Sequence, residues 1–286
     1  MKNEVIWITG ASSGIGRQLA LQYANAGNHV FVSARSRDKL LSLAETAAVG
    51  AISVVPCDIT DSMSMQNAAK KIQAEVGYLD KVIINAGTCE YFSVQKPDWQ
   101  MAARVMDVNF HGAVNTLATA LPLLRAAPNN NSAHIVVVAS LASVVPFSRA
   151  QAYGASKAAL KYFFESMRVD LHVENIAVTV VQPGFVATPL TAQNDFPMPF
   201  MISVEKAASI IIRRLTSKPR LIRFPRRLAW LLLLMAHLPW LWHQIVTKPL
   251  RSAEPSRSDT SSDTSNNTGK SENGNNNSCQ RHLENG

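Results

Sequence analysis

The sequence predicts an α/β fold, a single domain built on one doubly wound parallel sheet with helices on both faces. Three observations lead there. Short apolar runs recur with helix-length segments between them, a glycine-rich turn joins the first run to the first helical pattern, and the composition, 47% hydrophobic and 17% charged, is that of an ordinary globular chain.

The elements follow in order. Val5 to Ile8 is a buried-type strand ending at Thr9 and Gly10, and a helical pattern begins at Ile15 with Leu19, Ala20 and Tyr23 on one side. Ala26-Gly27-Asn28 closes that helix. Further strands are read at His29 to Ala34, Ala51 to Val55, Lys81 to Asn85, Ala133 to Ser140, Ala177 to Gln182 and Arg220 to Phe224, the last ended by Pro225. Ser36 is placed to cap the second helix ahead of Leu40 and Leu43, Asp61 or Ser62 the third, and Val204 to Leu215 reads as an amphipathic helix. Residues 1–225 are therefore assigned to one folded domain. From 251 to 286 the chain turns to Ser, Asn, Asp, Thr and Gly, too polar to offset its chain entropy, and a disordered tail is expected.

Between them, Leu228 to Trp242 is nearly all apolar, broken by His237 and Pro239 and flanked by Arg226-Arg227 and Lys248 to Arg251. A spanning helix needs roughly 20 apolar residues, so this stretch is too short for a simple span. For 226–250 the sequence leaves three readings open: peripheral contact with a membrane through Trp230, Trp240 and Trp242, packing over a substrate entrance, or a contact with a second subunit in a homo-oligomer. Much of the excess behind the net charge of +8 lies just before this stretch, which suits an anionic membrane surface at least as well as it suits nucleic acid; no nucleic-acid partner is expected. Cys57, Cys89 and Cys279 are widely spaced and suggest neither a zinc site nor a redox dithiol, so no metal is expected. Glu4 and a short apolar run leading straight into glycines do not have the layout of a secretory leader, and a cytoplasmic location is expected, with or without membrane association.

Gly10, Gly14 and Gly16 lie between the first strand and first helix, where backbone N–H groups and the positive end of the helix dipole converge on one point. A pyrophosphate suits that place, although the spacing is not G-x-G-x-x-G. At the end of the second strand, Val32-Ser33-Ala34-Arg35-Ser36-Arg37 contains no acid to accept from a ribose 2′-hydroxyl, while Arg35 and Arg37 offer guanidinium groups to a 2′-phosphate. NADP(H) is expected rather than NAD(H). Tyr153 and Lys157 stand four residues apart, on one face of a helix. Lowering a phenol by roughly three pKa units takes about 4 kcal/mol, for which Lys157 and a cationic nicotinamide ring are the plausible sources.

Thr9-Gly10-Ala11-Ser12-Ser13-Gly14-Ile15-Gly16 resembles the T-G-x-x-x-G-x-G turn of the short-chain dehydrogenase/reductase family, whose Rossmann-like fold fits the alternation of strands and helices above. The resemblance runs over about residues 4 to 225. It implies cofactor contacts from Gly10, Ser12, Ser13, Gly14, Ile15 and Gly16. Asp58-Ile59 resembles the adenine-contacting position, and Asn85-Ala86-Gly87 the N-A-G turn, with Ile84 where the family usually has a further Asn. Pro183-Gly184 and Thr188 match the turn that contacts the nicotinamide amide. By the same resemblance Tyr153 is the general acid and base, Lys157 binds the nicotinamide ribose and tunes the phenol, and Ser140 holds the carbonyl oxygen, with Ser143 the nearby competitor. Asn109, in Val108-Asn109-Phe110, matches the asparagine linked to proton movement through Lys157. The stretch Pro189 to Phe200 is read as an apolar lid or as core packing. The function implied is NADP(H)-dependent hydride transfer to or from a lipophilic small-molecule carbonyl or secondary alcohol. The alternative is an NADP(H)-binding regulatory or membrane-associated protein without turnover.

Overall fold

The strands are continuous apolar runs because both of their faces are covered, and successive side chains enter two different cores. Along β1 (Val5–Thr9), Val5 and Trp7 enter one core while Ile6 and Ile8 enter the other. The same division holds in β2 (His29–Ser33), β4 (Lys81–Ile84) and β5 (His134–Val138), where Phe31, Val82 and Ile135 share the first core with Trp7. Register puts these residues side by side: Trp7 pairs with Phe31 and Val82, Val82 with Ile135, and Ile135 with Val178 of β6 (Ala177–Pro183). With β3 (Ile52–Val54) and β7 (Leu221–Phe224) they form a seven-stranded, wholly parallel sheet of order β3-β2-β1-β4-β5-β6-β7. This computed structural model describes residues 3–128 and 133–252.

Three helices cover each face. On the Trp7 side, α3 (Ser62–Glu75), α5 (Gly112–Arg125) and α6 (Gln151–Asp170) contribute Met65, Ile72, Leu117, Leu160 and Phe164. On the other side, α1 (Gly14–Asn25), α2 (Arg37–Glu45) and α7 (Val204–Leu215) contribute Leu19, Tyr23, Leu40, Leu43 and Ile211. Of the expected caps, Asp61 accepts from the Met63 N–H at 2.9 Å, whereas Ser36 takes the N-cap position of α2 without a side-chain cap hydrogen bond. The short helix α4 (Gln100–Met106) runs into α5 through a π-helical turn, Asp107–His111.

Beyond the sheet, α8 (Arg226–His237) is joined by a sharp bend to α9 (Pro239–Ser252). Leu228, Ala229, Leu232 and Met235 are buried against Leu141 and Val145, with Phe147, Phe185 and Trp242 packed around them. The compact body of the chain therefore runs on past residue 225, to Val246. The polar tail expected from 251 lies, from residue 253 on, outside the described residues.

Candidate active site

Strand order reverses direction at β1, which has β2 on one side and β4 on the other. The chain leaves β1 for one face and β4 for the opposite face, and a crevice opens between the two turns. Backbone contact holds the turns together. Gly10 has φ +68°, and a Cβ there would lie 2.6 Å from the Ala86 Cα. The Asn85 amide donates to the carbonyls of Thr9 (3.1 Å) and Gly10 (3.3 Å), and a Cβ on Gly16 would lie 2.4 Å from that amide nitrogen. Gly16 is thus a packing requirement behind the turn, not part of the cleft surface. Gly14, with φ +56°, lies against Thr188, whose methyl would be 3.2 Å from an added Cβ. Helix α1 opens here with no acid in its first turn and no side-chain cap from Ser13, so its N-terminal donors are left for an anion.

A cleft of about 1150 Å³ runs along these strand ends. Its floor includes Gly10, Ser12, Ser13, Gly14 and Ile15 on one side and Asn85, Ala86 and Gly87 on the other. At one end Arg35, Ser36 and Lys39 face Asp58, Ile59 and Thr60. Burial acts to raise the Asp58 carboxyl, but hydrogen bonds from the Thr60 N–H and hydroxyl (2.9 and 2.8 Å) and the charge of Arg35 hold it below the usual carboxylate range. Arg37 begins α2 one residue past the cap, is exposed and does not line the cleft; Lys39, three residues after Ser36 and so on the same helix face, does. The sequence reading did not single out Lys39, although counting helical phase from Ser36 finds it.

At the other end stand Ser140, Tyr153, Lys157, Pro183, Gly184 and Thr188. The Ser140 hydroxyl caps the short turn Leu141–Ser143, accepting from the Ala142 N–H at 3.1 Å, which leaves its own proton to donate. Ser143 is committed elsewhere: it donates to the Ser140 carbonyl at 2.5 Å and accepts from Gln182 at 2.6 Å. Tyr153 and Lys157 share one face of α6, the ammonium 5.9 Å from the phenol ring centre. Lys157 is buried and donates to the Val138 carbonyl at 3.0 Å. Burial lowers its ammonium to about 8. Burial pushes the phenol of Tyr153 up to about 12, against the pull of the Ser140 hydroxyl.

Asn109 lies behind this wall, fully buried on the π-helical turn. Its amide donates to the Thr88 carbonyl and to the Ser156 hydroxyl, both at 2.9 Å, and accepts from the Thr88 N–H at 2.7 Å. It therefore ties the turn after β4 to α6. The position of a Cβ on Gly87 is 3.0 Å from the Asn109 Oδ1 and 3.2 Å from the Lys157 Nζ, so a side chain there would press on both. Cys89, two residues on, is a half-buried thiol coupled electrostatically to both Lys157 and Tyr153; the sequence reading had considered it only for metal or disulfide chemistry. Among the described residues no His, Cys, Asp and Glu cluster suits a metal ion.

Over the catalytic end, Pro189, Leu190 and Thr191 line the cleft, and the segment continues to Phe196 and Phe200, both exposed. It is latched to the loop after β4 by Tyr91 donating to Asn194 and by an edge-on Tyr91–Phe196 contact, and to the loop before α6 by an Arg149–Asp195 ion pair at 2.8 Å.

This arrangement has known counterparts. The family model described as short chain dehydrogenase matches residues 4–197. An uncharacterized oxidoreductase of Myxococcus xanthus is 36% identical over 224 residues, covering 78% of this chain and 87% of that one. An 11-beta-hydroxysteroid dehydrogenase-like 2 of Arabidopsis thaliana is 32% identical over 240 residues, covering 81% and 76%. Among solved structures, the Pseudomonas aeruginosa RhlG/NADP active-site complex superposes with a TM-score of 0.69 at 26% identity, covering 77% of this chain and 94% of that one. A Burkholderia phymatum short chain dehydrogenase/reductase in complex with NAD, at 20% identity and TM-score 0.75 over 84% and 95%, shares the fold. With the family model spanning most of the sheet and relatives above 30% identity along most of their length, the chain belongs to the short-chain dehydrogenase/reductase family of oxidoreductases acting on alcohol and carbonyl groups.

Proposed function

We propose that the chain is an NADP(H)-dependent reductase of lipophilic carbonyl compounds, or the corresponding alcohol dehydrogenase, with Tyr153 as the proton donor and acceptor. The observation that carries this is the common wall shared by Ser140, Tyr153 and Lys157 in the cleft that begins at the glycine turn. The residues fit a dinucleotide: helix donors and glycines at one turn, a basic pair at one end and the reactive hydroxyls at the other. When bound, the cofactor supplies or takes up hydride at its nicotinamide ring.

The protein's own groups handle position and protons. Ser140 donates to the substrate oxygen, and Tyr153 delivers a proton to it as negative charge develops. Burial raises the phenol, so Tyr153 carries its proton at neutral pH and is available as an acid. Lys157, with one N–H held by Val138, keeps two for a ribose hydroxyl or the phenol oxygen. Asn109 is a positioning residue that fixes the Thr88 segment against α6. Arg35 and Lys39 support a 2′-phosphate, since the Asp58 carboxylate facing them is engaged by Thr60 and offset by the charge of Arg35. A lipophilic substrate is supported by Phe185, Phe196 and Leu190 around the lid and by the steroid named for the Arabidopsis relative.

The test is Tyr153→Phe, assayed by NADPH consumption on a panel of lipophilic ketones and aldehydes. Turnover falls by about 10² to 10⁴, the usual contribution of a positioned acid, while NADPH affinity stays within about twofold. Full turnover in the variant removes this mechanism. NADPH binding by the unmodified chain without consumption on any carbonyl favours the non-turnover reading instead.

A further inference from the structure

Helix α8 has two apolar faces, and the fold uses one; α9 continues the exposed apolar side with Trp240 and Ile245. Leu228, Leu232 and Met235 are buried against the loop that follows Ser140, and Leu228 lies so near Gly184 that a Cβ there would meet it at 2.8 Å. The opposite side of α8 carries Trp230 (69% exposed), Leu231 (49%) and Leu234 (57%), and α9 exposes Trp240 (62%) and Ile245 (50%) beside His243 and Gln244. Large apolar side chains gathered in this way on an otherwise well-packed body mark a contact surface.

Charge identifies what it contacts. Arg226 and Arg227 are exposed in the first turn of α8, have no acidic partner among the described residues, and sit at the helix end where the dipole opposes positive charge. No acidic residue occurs from Arg226 to Val246. Two copies of this face meeting about a two-fold axis would bring no carboxylate from this stretch to pair with the arginines. An anionic lipid surface offers phosphates to the arginines, headgroup depth to the tryptophans and hydrocarbon to the leucines. No single described helix is long and apolar enough to cross a membrane, and α8 and α9 diverge by 112°. That bend suits two short helices lying in the interface.

We infer that the outer face of α8 and α9 is a peripheral membrane seat that docks the protein on anionic bilayers, using Trp230, Leu231, Leu234 and Trp240 as the inserted side chains and Arg226 and Arg227 as the headgroup contacts. Its inner face forms the wall behind Ser140 and Gly184, so the seat adjoins the catalytic end of the cleft. The inference does not depend on the redox reading, because docking is measured without substrate.

The full chain is mixed with sucrose-loaded vesicles of pure phosphatidylcholine or of equimolar phosphatidylcholine and phosphatidylglycerol, and sedimented at low and high salt. It sediments with the anionic vesicles, and the partition coefficient falls with salt. Arg226→Gln with Arg227→Gln lowers it by about thirtyfold, roughly fivefold for each charge near such a surface. Trp230→Gln with Trp240→Gln abolishes it at either salt, with the melting temperature unchanged because both side chains face outward. Protein that stays in the supernatant with both vesicle types overturns the proposal. So does light scattering that shows a dimer, converted to monomer by the tryptophan pair, with vesicle binding unaffected.

Discussion

The buried ammonium of Lys157 gives the most direct physical test of the site. Replacing it with methionine keeps the length of the side chain and removes the charge. In the folded protein burial brings the ammonium from its ordinary 10.5 down to about 8, a gap worth roughly 3 kcal/mol. The group is only 4% exposed, so little of this is lost to solvent screening. Because the folded value is the lower one, the unfolded chain binds more protons between about 8 and 10.5. Wild-type stability therefore rises with pH across that window, and the full penalty is felt below it.

Lys157→Met lacks the penalty but also lacks the hydrogen bond to Val138, a loss of about 1 kcal/mol that does not depend on pH. Near neutrality the variant is the more stable protein by about 2 kcal/mol; above the window it is the less stable by about 1. Urea unfolding of both proteins at intervals from about pH 7 to about pH 10 measures the difference, and every other titrating group cancels in the subtraction. The expected swing is more than about 2 kcal/mol over that range. A difference constant within about 0.5 kcal/mol would show that the ammonium is not desolvated as the structure places it. The same variant loses reductase turnover, and wild-type kcat/KM falls as pH passes through about 8, far below the phenol.

Two further substitutions separate the cofactor's phosphate contacts from the turn that carries them. Arg35→Ser raises the Kd for NADPH by about 10- to 100-fold, the worth of a charge-assisted hydrogen bond, and leaves NADH within about threefold; equal loss for both cofactors removes the 2′-phosphate assignment. Gly16→Ala forces a methyl to 2.4 Å from the Asn85 amide and 2.5 Å from the Gly10 carbonyl, so it costs about 1–3 kcal/mol, lowers the melting temperature by several degrees and weakens both cofactors alike. An unchanged melting curve would mean that the turn and the Asn85 segment are not in contact.

The sheet was legible in the sequence because each strand is buried on both faces, so Val5 to Ile8 or Ala177 to Gln182 stand out as unbroken apolar runs. The glycine turn was legible for a related reason: an added Cβ at Gly10 or Gly16 would lie 2.4–2.6 Å from Ala86, the Asn85 amide or the Gly10 carbonyl, so local sterics appear directly as residue type. What the sequence did not yield depends on phase and on distant partners. Arg37 and Lys39 are equal as charges, and only the position of Ser36 at the helix cap decides which faces the cleft. Ser140 and Ser143 are equal as hydroxyls until Gln182, from another strand, occupies Ser143. The role of Asn109 depends on a π-helical turn that no local signal announces, and on Ser156, a residue 47 positions away.

The C-terminal helices show the same limit most clearly. From Leu228 to Trp242 almost every residue is apolar, so the pattern has no phase and cannot say which side is inward. The structure supplies the phase: Leu228, Leu232 and Met235 face the loop after Ser140, and Trp230, Leu231 and Leu234 face away. Once one face is accounted for by the body of the protein, the apolar character of the other calls for its own cause. Stability of the isolated chain does not supply one, since exposed tryptophan and leucine gain nothing from water. Two unpaired arginines beside them, placed against the helix dipole, are similarly unfavourable in the isolated chain. Both features become favourable together when, as we infer, the outer face meets a lipid surface with anionic headgroups. A shared environment accounts for them more simply than two unrelated accidents of sequence.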